Sequence, residues 1–260
     1  MKVTIFTSNQ TRHAYLINSI AAVADETYVV QECNTIFPGQ VEDFFKKSQV
    51  MQEYFYMVQN AQSKIFGISN LLDKNIRVLS MKLHDLKFIK NEQLAPVLKS
   101  DLYIVFGASY IKGWLIDFLV NKQAINIHMG ISPYYRGSSC NFWALKDNNL
   151  GHVGATIHYL SKGLDSGNML YHCLPKLVKE NNLFDFSMRA VKVAHDSLVK
   201  KISNNEIKKI SPVKQDKSLE ISYTRNSDFT DNVAKNFLKR NKEDFNYDII
   251  YPKLLNPIFE

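Results

Sequence analysis

The residues best suited to chemistry in this chain lie in two short segments that each end in a turn. Asn126 and His128 belong to the apolar run Ala124-Ile-Asn-Ile-His-Met-Gly, and Asp165 lies in the turn Gly163-Leu-Asp-Ser-Gly. Side chains alternate along a strand, so Asn126 and His128 are predicted to project to the same face. A polar pair at the end of an apolar strand is costly to bury unless it is hydrogen-bonded or functional.

Together, these three side chains suit the transfer of an acyl group. The amide of Asn126 can donate to the oxyanion that develops when a carbonyl is attacked. His128 can act as a general base or as a second donor, and Asp165 can orient the imidazole and set its pKa. Taken alone, His128 is better explained as a hydrogen-bonded core histidine. The other histidines are His13, His84, His152, His158, His172 and His195.

Two motifs of other enzyme classes are missing. The segment Ser138-Ser-Cys lacks the GxSxG pattern of a nucleophile elbow, which favours direct transfer to an external nucleophile. The loop Ser8-Asn-Gln-Thr-Arg-His has no glycine, which argues against a nicotinamide-binding Rossmann enzyme. Arg12 and His13 of this loop could meet a phosphate at a helix N-terminus. A helix cap with exposed polar residues explains them equally well.

The elements that must position these residues follow from hydrophobic periodicity. Strands are predicted at 1–7, 27–31, 76–81, 101–106, 124–129, 153–160 and 167–174. Helices are predicted at 11–25, 40–66 (with Phe44 and Phe45), 91–99, 110–120, 141–147 and 183–202. Alternating strands and helices form right-handed βαβ units. The fold class is therefore α/β, a Rossmann-like, mostly parallel sheet with helices on both faces and a short α+β C-terminal extension.

The composition of the chain changes after about residue 205. A catalytic domain is predicted over 1–204, and a small extension with a strand or hairpin and a helix over 205–260. Residues 211–218 are typical of a linker, and the predicted strand and helix lie near 219–224 and 230–240. The last twenty residues are too apolar for a free tail. They are expected to pack on the domain or on another subunit, as in a homodimer.

Composition is typical of a soluble enzyme, with 45% hydrophobic and 22% charged residues among 260. Cys33, Cys140 and Cys173 form no CxxC pair, which indicates reduced thiols in the cytoplasm and argues against a zinc site. No membrane span or signal peptide is expected. The net charge of +7 would suit nucleic acid, nucleotide phosphates or a polyanionic cofactor. A solvated lysine-rich face explains it more simply.

Five short motifs in a fixed order resemble the folate-dependent formyltransferases. They are Asn126-Ile-His128, Ser132-Pro-Tyr-Tyr-Arg136-Gly137, Trp143-Ala-Leu, Gly154-Ala-Thr-Ile-His158-Tyr and Gly163-Leu-Asp165-Ser-Gly167. The resemblance runs in close order from about residue 100 to 175 and more loosely from residue 1. That group includes glycinamide ribonucleotide, methionyl-tRNA and nucleotide-sugar N-formyltransferases. In one detail the chain departs from it, since Gly130-Ile-Ser-Pro replaces the usual Ser-Leu-Leu-Pro.

The resemblance implies an enzyme with a catalytic trio of Asn126, His128 and Asp165. The co-substrate would be 10-formyltetrahydrofolate, the acceptor a primary amine, and no metal would take part. The segment implied to line the pterin pocket comprises Phe106, Gly107, Ala108, Ser109, Tyr110 and Ile111.

Among these relatives the nucleotide-sugar N-formyltransferases resemble the chain best. The expected acceptor is a small molecule such as dTDP-4-amino-4,6-dideoxyglucose or a UDP-linked analogue, destined for a surface polysaccharide or O-antigen. Candidate substrate contacts are Arg12, His13, Tyr134, Tyr135 and Arg136. Nucleic acid is not expected as a partner.

Other acceptors remain open. A methionyl-tRNA formyltransferase normally adds a barrel domain larger than residues 205–260 could form. The basic segment 189–220 nevertheless keeps methionyl-tRNA as an alternative acceptor. Glycinamide ribonucleotide enzymes have a glycine-rich phosphate loop that is absent here, and the related deformylase has an extra N-terminal domain. A non-catalytic homologue that binds only folate or nucleotide is a further alternative, against which the intact trio argues.

Overall fold

The computed structural model describes residues 1–33, 35–36, 40–41, 47–69, 71–176 and 182–260. Its strands are β1 (Lys2–Ser8), β2 (Glu26–Cys33), β3 (Thr35–Ile36), β4 (Gln40–Val41), β5 (Ile76–Lys82), β6 (Leu102–Phe106), β7 (Ile125–His128), β8 (Tyr135–Gly137), β9 (Ala155–Tyr159), β10 (Met169–Leu174), β11 (Ser222–Thr224) and β12 (Ile258–Phe259). Its α-helices are α1 (Thr11–Ala21), α2 (Gln49–Phe66), α3 (Asn91–Leu94), α4 (Gly113–Asn121), α5 (Cys140–Lys146), α6 (Leu183–Ser203) and α7 (Asp231–Leu238).

One eight-stranded sheet organises the molecule, in the order β12-β10-β9-β7-β6-β1-β2-β5. The pairs β7-β6, β6-β1, β1-β2 and β2-β5 are parallel. β9 is antiparallel to both β7 and β10. The prediction of a mostly parallel α/β sheet is confirmed. Because β1, β6 and β7 point the same way, the residues that follow them emerge at one edge of the sheet, where folds of this type bind ligands.

Apolar side chains of the parallel strands alternate between two helical layers. Ile5 and Ile104 face a core formed with α1, α2 and α6. Phe6 and Val105 face the opposite core, to which Leu115 of α4 belongs. Strands that are apolar on both sides are expected for a sheet covered on both faces. Helices do cover both faces, as the sequence predicts.

Several helices are shorter than predicted. The helix expected at 91–99 ends at Leu94, and Pro96, which lacks an N–H, separates it from a short 3₁₀ turn. The helix expected from 110 begins at Gly113. Part of the helix expected at 40–66, including Phe44 and Phe45, lies outside the described residues. The observed α2 begins at Gln49, because the Ser48 hydroxyl caps it by accepting the Met51 amide at 3.2 Å.

The C-terminal residues pack on the rest of the chain. β12 extends the main sheet by pairing with β10, with Ile258 opposite Cys173. β11 pairs in parallel with β8, outside the main sheet. Ala234 and Phe237 of α7 share an apolar core with Phe142 of α5. The expectation that the apolar C-terminus packs on the domain is therefore confirmed.

In the part of the chain that the structure describes, no helix is long and apolar enough to cross a membrane. The same residues contain no group of three or more His, Cys, Asp or Glu side chains placed to hold a metal ion.

A buried histidine attaches the C-terminal segment. His172 Nδ1 accepts the amide of Leu255, and its Nε2 donates to the carbonyl of Ser132, each at 2.9 Å. Burial lowers the pKa of His172 to about 4, although the Ser132 carbonyl acts in the opposite direction. This neutral ring can accept the Leu255 amide only while Nδ1 carries no proton.

We expect this attachment to weaken in acid. The pKa of His172 is lower in the folded state than the value of about 6.5 in an unfolded chain. Its contribution to stability is therefore present above about pH 6.5 and is lost as the pH falls towards 4. The NMR protection factor of the Leu255 amide should fall across this window by more than that of Ile5, the control. Equal pH dependence at both amides would contradict the expectation.

Candidate active site

A cavity of about 1160 Å³ collects most of the predicted site residues. Of those residues, its walls include Arg12, His13, Phe106, Gly107, Ala108, Ser109, Tyr110, Ile111, Asn126, His128 and Asp165. They come from the segments that follow β1 and β6, from β7, and from the turn between β9 and β10. The fold thus brings the predicted trio and the predicted pterin segment to one place.

The carboxylate of Asp165 is the centre of the trio. Its Oδ2 lies 3.4 Å from Nδ1 of His128. Its Oδ1 accepts from Nδ2 of Asn126, also at 3.4 Å. The side chains of His128 and Asp165 are only 6% and 12% exposed, so the contact is screened from water. Alternation along β7 puts Asn126 and His128 on the same face, and both therefore reach the same carboxylate.

His128 has a hydrogen-bond acceptor at each ring nitrogen. Nδ1 faces Asp165, and Nε2 lies 3.2 Å from the carbonyl of Tyr135. Burial by itself lowers the pKa of His128, but the charge of Asp165, with smaller effects of Cys140 and the Tyr135 carbonyl, outweighs burial and raises it. A ring between two acceptors holds both protons. The raised pKa favours the imidazolium form of His128, in which both ring nitrogens donate and the ring does not act as a general base.

A second histidine fixes the orientation of the Asn126 amide. Asn126 lies opposite His158 in the antiparallel register of β7 and β9. His158 Nδ1 lies 2.8 Å from the carbonyl of Tyr159, to which it donates, so Nε2 is left as an acceptor 3.0 Å from Asn126 Nδ2. Burial lowers the pKa of His158 to about 4, which keeps the ring neutral. The two N–H groups of Asn126 thus point to His158 and Asp165.

This geometry has a direct chemical consequence. The Oδ1 of Asn126 has no hydrogen-bond partner among the described residues and can accept an N–H of an amine. Contacts of 3.4 Å from Asp165 to Asn126 and His128 are long for hydrogen bonds, so a ligand can replace them at little cost. The site can therefore align an amine, accept its proton on a carboxylate and donate to an oxyanion.

A buried carboxylate anchors the segment 106–111. Glu32, at the end of β2, accepts the amide of Ser109 at 2.6 Å and its hydroxyl at 2.7 Å. It also accepts the amide of His84 at 2.9 Å. His84 has a left-handed backbone (φ 74°) and itself lines the cavity. Glu32 thus connects the ends of β2, β5 and β6. Sequence analysis gave neither Glu32 nor His84 a role, because their link to Ser109 depends on the order of the strands.

Arg12 places a positive charge in the cavity wall. Its guanidinium donates to Oε1 of Gln62, and among the described residues no carboxylate pairs with it. Burial lowers its pKa to about 10, so Arg12 is still a cation at neutral pH. A partly buried cation that binds only Gln62 among the described residues suits a carboxylate or a phosphate.

His13 lines the same cavity but is not a cation. Burial, together with the charge of Arg12, holds the pKa of His13 well below its usual value. Its Nδ1 lies 2.7 Å from the hydroxyl of Thr7. The ring packs against Gly107, where a Cβ would lie 2.6 Å from its Cε1 and where φ is +63°. His13 therefore supports the turn at Gly107 and offers little attraction to a phosphate.

Tyr134 and Tyr135, predicted to contact substrate, do not line the cavity. The hydroxyl of Tyr134 donates to the carbonyl of Lys253 at 3.1 Å. The hydroxyl of Tyr135 accepts from Asn149 at 2.7 Å and donates to Asp147 at 3.2 Å. Both rings are buried, and their polar ends bind other parts of the chain.

Arg136 is likewise absent from the cavity wall. Its Nη1 pairs with Glu220 at 2.7 Å and its Nη2 donates to the carbonyl of Leu164 at 2.9 Å. The guanidinium also lies 5.7 Å from the centre of the Tyr223 ring. Arg136 therefore joins the C-terminal extension to the turn that carries Asp165.

The extension contributes residues to the cavity that sequence analysis missed. Tyr223, Asn226 and Phe237 all line it. Tyr223 lies on β11, and its position is set by pairing with β8, where it faces Arg136. No local pattern in the sequence signals such a long-range pairing.

We expect Asp165→Asn to lower the pKa of His128. The substitution removes the negative charge that raises this pKa, and burial, which lowers it, remains. In an NMR titration of the histidine rings, His128 should lose its proton at a lower pH than in the wild type. His172 is the control and should titrate as before. An unchanged His128 titration would show that the charge of Asp165 does not stabilise the doubly protonated ring of His128.

Residues 59–202 match the profile of the family described as formyl transferase. Among curated proteins, the methionyl-tRNA formyltransferase of Desulforamulus reducens is 33% identical over 85 residues. That match covers 33% of this chain and 26% of that enzyme, so the chain spans about a quarter of its length.

Solved structures share the fold. A 4-N formyltransferase from Francisella tularensis has a TM-score of 0.53 at 19% identity, covering 88% of this chain and 77% of that one. An N-formyltransferase from Helicobacter canadensis, in complex with folinic acid and dTDP-3-aminofucose, has a TM-score of 0.53 at 15% identity, covering 88% and 72%. The profile match is the stronger finding, because it includes Asn126, His128 and Asp165 and extends over more than half of the 260 residues. The chain belongs to the formyl transferase family.

Proposed function

We propose that this protein is an N-formyltransferase that moves a formyl group from 10-formyltetrahydrofolate to the amine of a nucleotide-linked amino-dideoxy sugar. The observation that carries the proposal is the trio of Asn126, His128 and Asp165 in the wall of a cavity of about 1160 Å³. A pocket for one drug-sized ligand has roughly 300–1,000 Å³. The larger volume supports two reactants bound side by side, as a direct transfer requires.

The donor half of the proposal rests on segment 106–111 and its anchor, Glu32. This segment lines the cavity together with the apolar residues Ile116 and Leu160. A flat pterin ring fits between an apolar surface and fixed backbone donors and acceptors. The Helicobacter canadensis relative binds folinic acid, a formyl derivative of the same cofactor class.

In the proposed reaction, the neutral amine attacks the formyl carbon, and the carbonyl oxygen becomes an oxyanion. The imidazolium of His128 stabilises that oxyanion by donating a hydrogen bond. Oδ1 of Asn126 accepts one N–H and aligns the amine. Asp165 accepts the proton that the amine must lose, directly or through a water molecule. Collapse of the intermediate then breaks the bond from the formyl carbon to the folate nitrogen, which takes up a proton.

The acceptor half rests on Arg12 and on the wall formed by the C-terminal extension. A nucleotide sugar carries a diphosphate, which Arg12 can bind through its unused donors. Tyr223, on β11 of the C-terminal extension, is 44% exposed and offers an aromatic face to a base or a sugar. The Helicobacter canadensis relative binds dTDP-3-aminofucose, and the Francisella tularensis relative is a 4-N formyltransferase.

Methionyl-tRNA is the second candidate acceptor. The curated relatives of Desulforamulus reducens and Solibacter usitatus are methionyl-tRNA formyltransferases, each 33% identical to this chain over its matched residues. The net charge of +7 would also favour a polyanion. The two acceptors differ in salt dependence, because phosphate contacts with tRNA make binding fall steeply with salt.

The first experiment incubates the purified protein with 10-formyltetrahydrofolate and dTDP-4-amino-4,6-dideoxyglucose. Mass spectrometry should show that the sugar nucleotide gains one formyl group. If the protein formylates charged initiator tRNA but not the sugar nucleotide, methionyl-tRNA replaces the sugar nucleotide as the proposed acceptor. No product with either acceptor, and no binding of folate in calorimetry, would overturn the proposal.

We expect Asn126→Ala and Asp165→Ala each to lower kcat by roughly 100-fold or more, the usual scale for misplacing a reactant or losing a general base. Turnover of the same sugar nucleotide measures the loss. Asp117→Ala is the matched control, because this exposed carboxylate lies outside the cavity wall and pairs with Lys162. Turnover near that of the wild type in both trio variants would remove the catalytic assignment.

We expect Glu32→Gln to raise the KM for the folate donor about tenfold or more, the scale of a lost hydrogen bond to a charged group. The carboxylate of Glu32 accepts three hydrogen bonds, from the Ser109 hydroxyl, the Ser109 amide and the His84 amide. A glutamine has one oxygen in place of two and cannot accept all three. The KM for the acceptor should change little. Glu26→Gln, at the other end of β2, is the control. Equal changes in both KM values would show that Glu32 does not act on the donor pocket specifically.

A further inference from the structure

The turn that carries Asp165 is held from outside by one buried glutamine. Gln215 is 8% exposed, and its Nε2 donates to the carbonyl of Asp165 and to that of Gly167, each at 2.8 Å. Both N–H groups of its amide are therefore used on the two sides of the catalytic turn.

This turn needs such support because its backbone is unfavourable. Asp165 has φ 46°, in the left-handed region that residues other than glycine seldom occupy. Such a conformation persists only where the surrounding structure fixes it. Gly167 lies so close to Tyr159 that a Cβ there would come within 1.7 Å of its carbonyl oxygen. One side of the turn therefore rests on β9, and the other side faces Gln215.

Backbone hydrogen bonds close to Gln215 hold the segment from which its side chain reaches the turn. Val213 exchanges two backbone hydrogen bonds with Met169, both at 2.8 Å. Gln215 thus reaches the turn from a short stretch of chain already attached to the start of β10. This stretch follows the family-matched residues 59–202, so it belongs to the part of the chain that the profile does not include.

We propose that Gln215 is a positioning residue of the active site, which holds the backbone turn so that the Asp165 carboxylate meets both His128 and Asn126. The inference rests on the proposed function for its activity readout, and on the contacts of Gln215 for its geometry. The Asp165 contacts with its two partners are both 3.4 Å long, so a small displacement of the turn breaks them. Misplacing a catalytic group by about 1 Å can cost on the order of 100-fold in rate.

The test compares Gln215→Met with the wild type. Methionine keeps the length and apolar stem of the side chain but donates no hydrogen bond. The kcat for formylation should fall by about 10- to 100-fold with little change in either KM, since Gln215 does not line the cavity. Asp216→Asn is the matched control. It weakens the cap of the next turn, where Asp216 accepts the amide of Ser218, without touching Asp165.

A second readout does not depend on turnover. In the NMR titration of the histidine rings, loss of the Asp165 contact should make His128 release its proton at a lower pH in Gln215→Met than in wild type. If the wild type formylates no acceptor, the proposed function fails, while this titration still tests the positioning role of Gln215. Gln215→Leu, which also lacks the two N–H donors and adds no charge near Asp165, replaces the methionine variant if that one does not fold. Wild-type kcat or an unchanged His128 titration in the folded variant would overturn the inference.

Discussion

The approach of the Asp165 carboxylate to the buried imidazole of His128 is the interaction on which the rest of the site depends. A buried charge pair is favourable only when the remaining polar atoms of both partners are also satisfied. Here the carbonyl of Tyr135 takes the second N–H of His128, and Asn126 donates to the other carboxylate oxygen. Each of these partners comes from a different stretch of the chain, so the fold has to hold those stretches in register.

The sheet supplies that register at the boundary between its parallel part and β9. β7 continues the parallel part of the sheet, whereas β9 runs antiparallel beside it. The parallel strands bring segment 106–111 to the cavity, as carboxyl ends of parallel strands share an edge. The antiparallel pair sets Asn126 opposite His158, whose neutral ring decides which way the Asn126 amide points. Segment 106–111 and the three side chains of the proposed trio therefore meet where the parallel part of the sheet ends.

Local patterns were sufficient to predict a mostly parallel α/β sheet, because alternation and helical spacing are properties of neighbouring residues. The shared face of Asn126 and His128 is one example. The resemblance of the motifs, and not periodicity, grouped Asn126, His128 and Asp165 as a trio, whose catalytic role stays a prediction. The role of His158 could not be predicted, since it follows from a cross-strand register that only the folded chain defines. The same reason explains Tyr135, whose ring is buried in the core, and Gln215, which lies in a segment that sequence analysis interpreted as a linker.

The linker interpretation failed for a physical reason. Residues 211–218 are polar and contain a proline, as linkers do, but a polar side chain can also be selected for the backbone groups that it reaches. The carbonyls of Asp165 and Gly167 need donors, and no strand pairs with them directly. Arg136 serves the same turn by binding the carbonyl of Leu164. The extension therefore lines the cavity with Tyr223 and Phe237 and also holds the turn that carries Asp165. Under the proposed function, a change in the extension that alters the KM for the acceptor is therefore expected to change kcat as well.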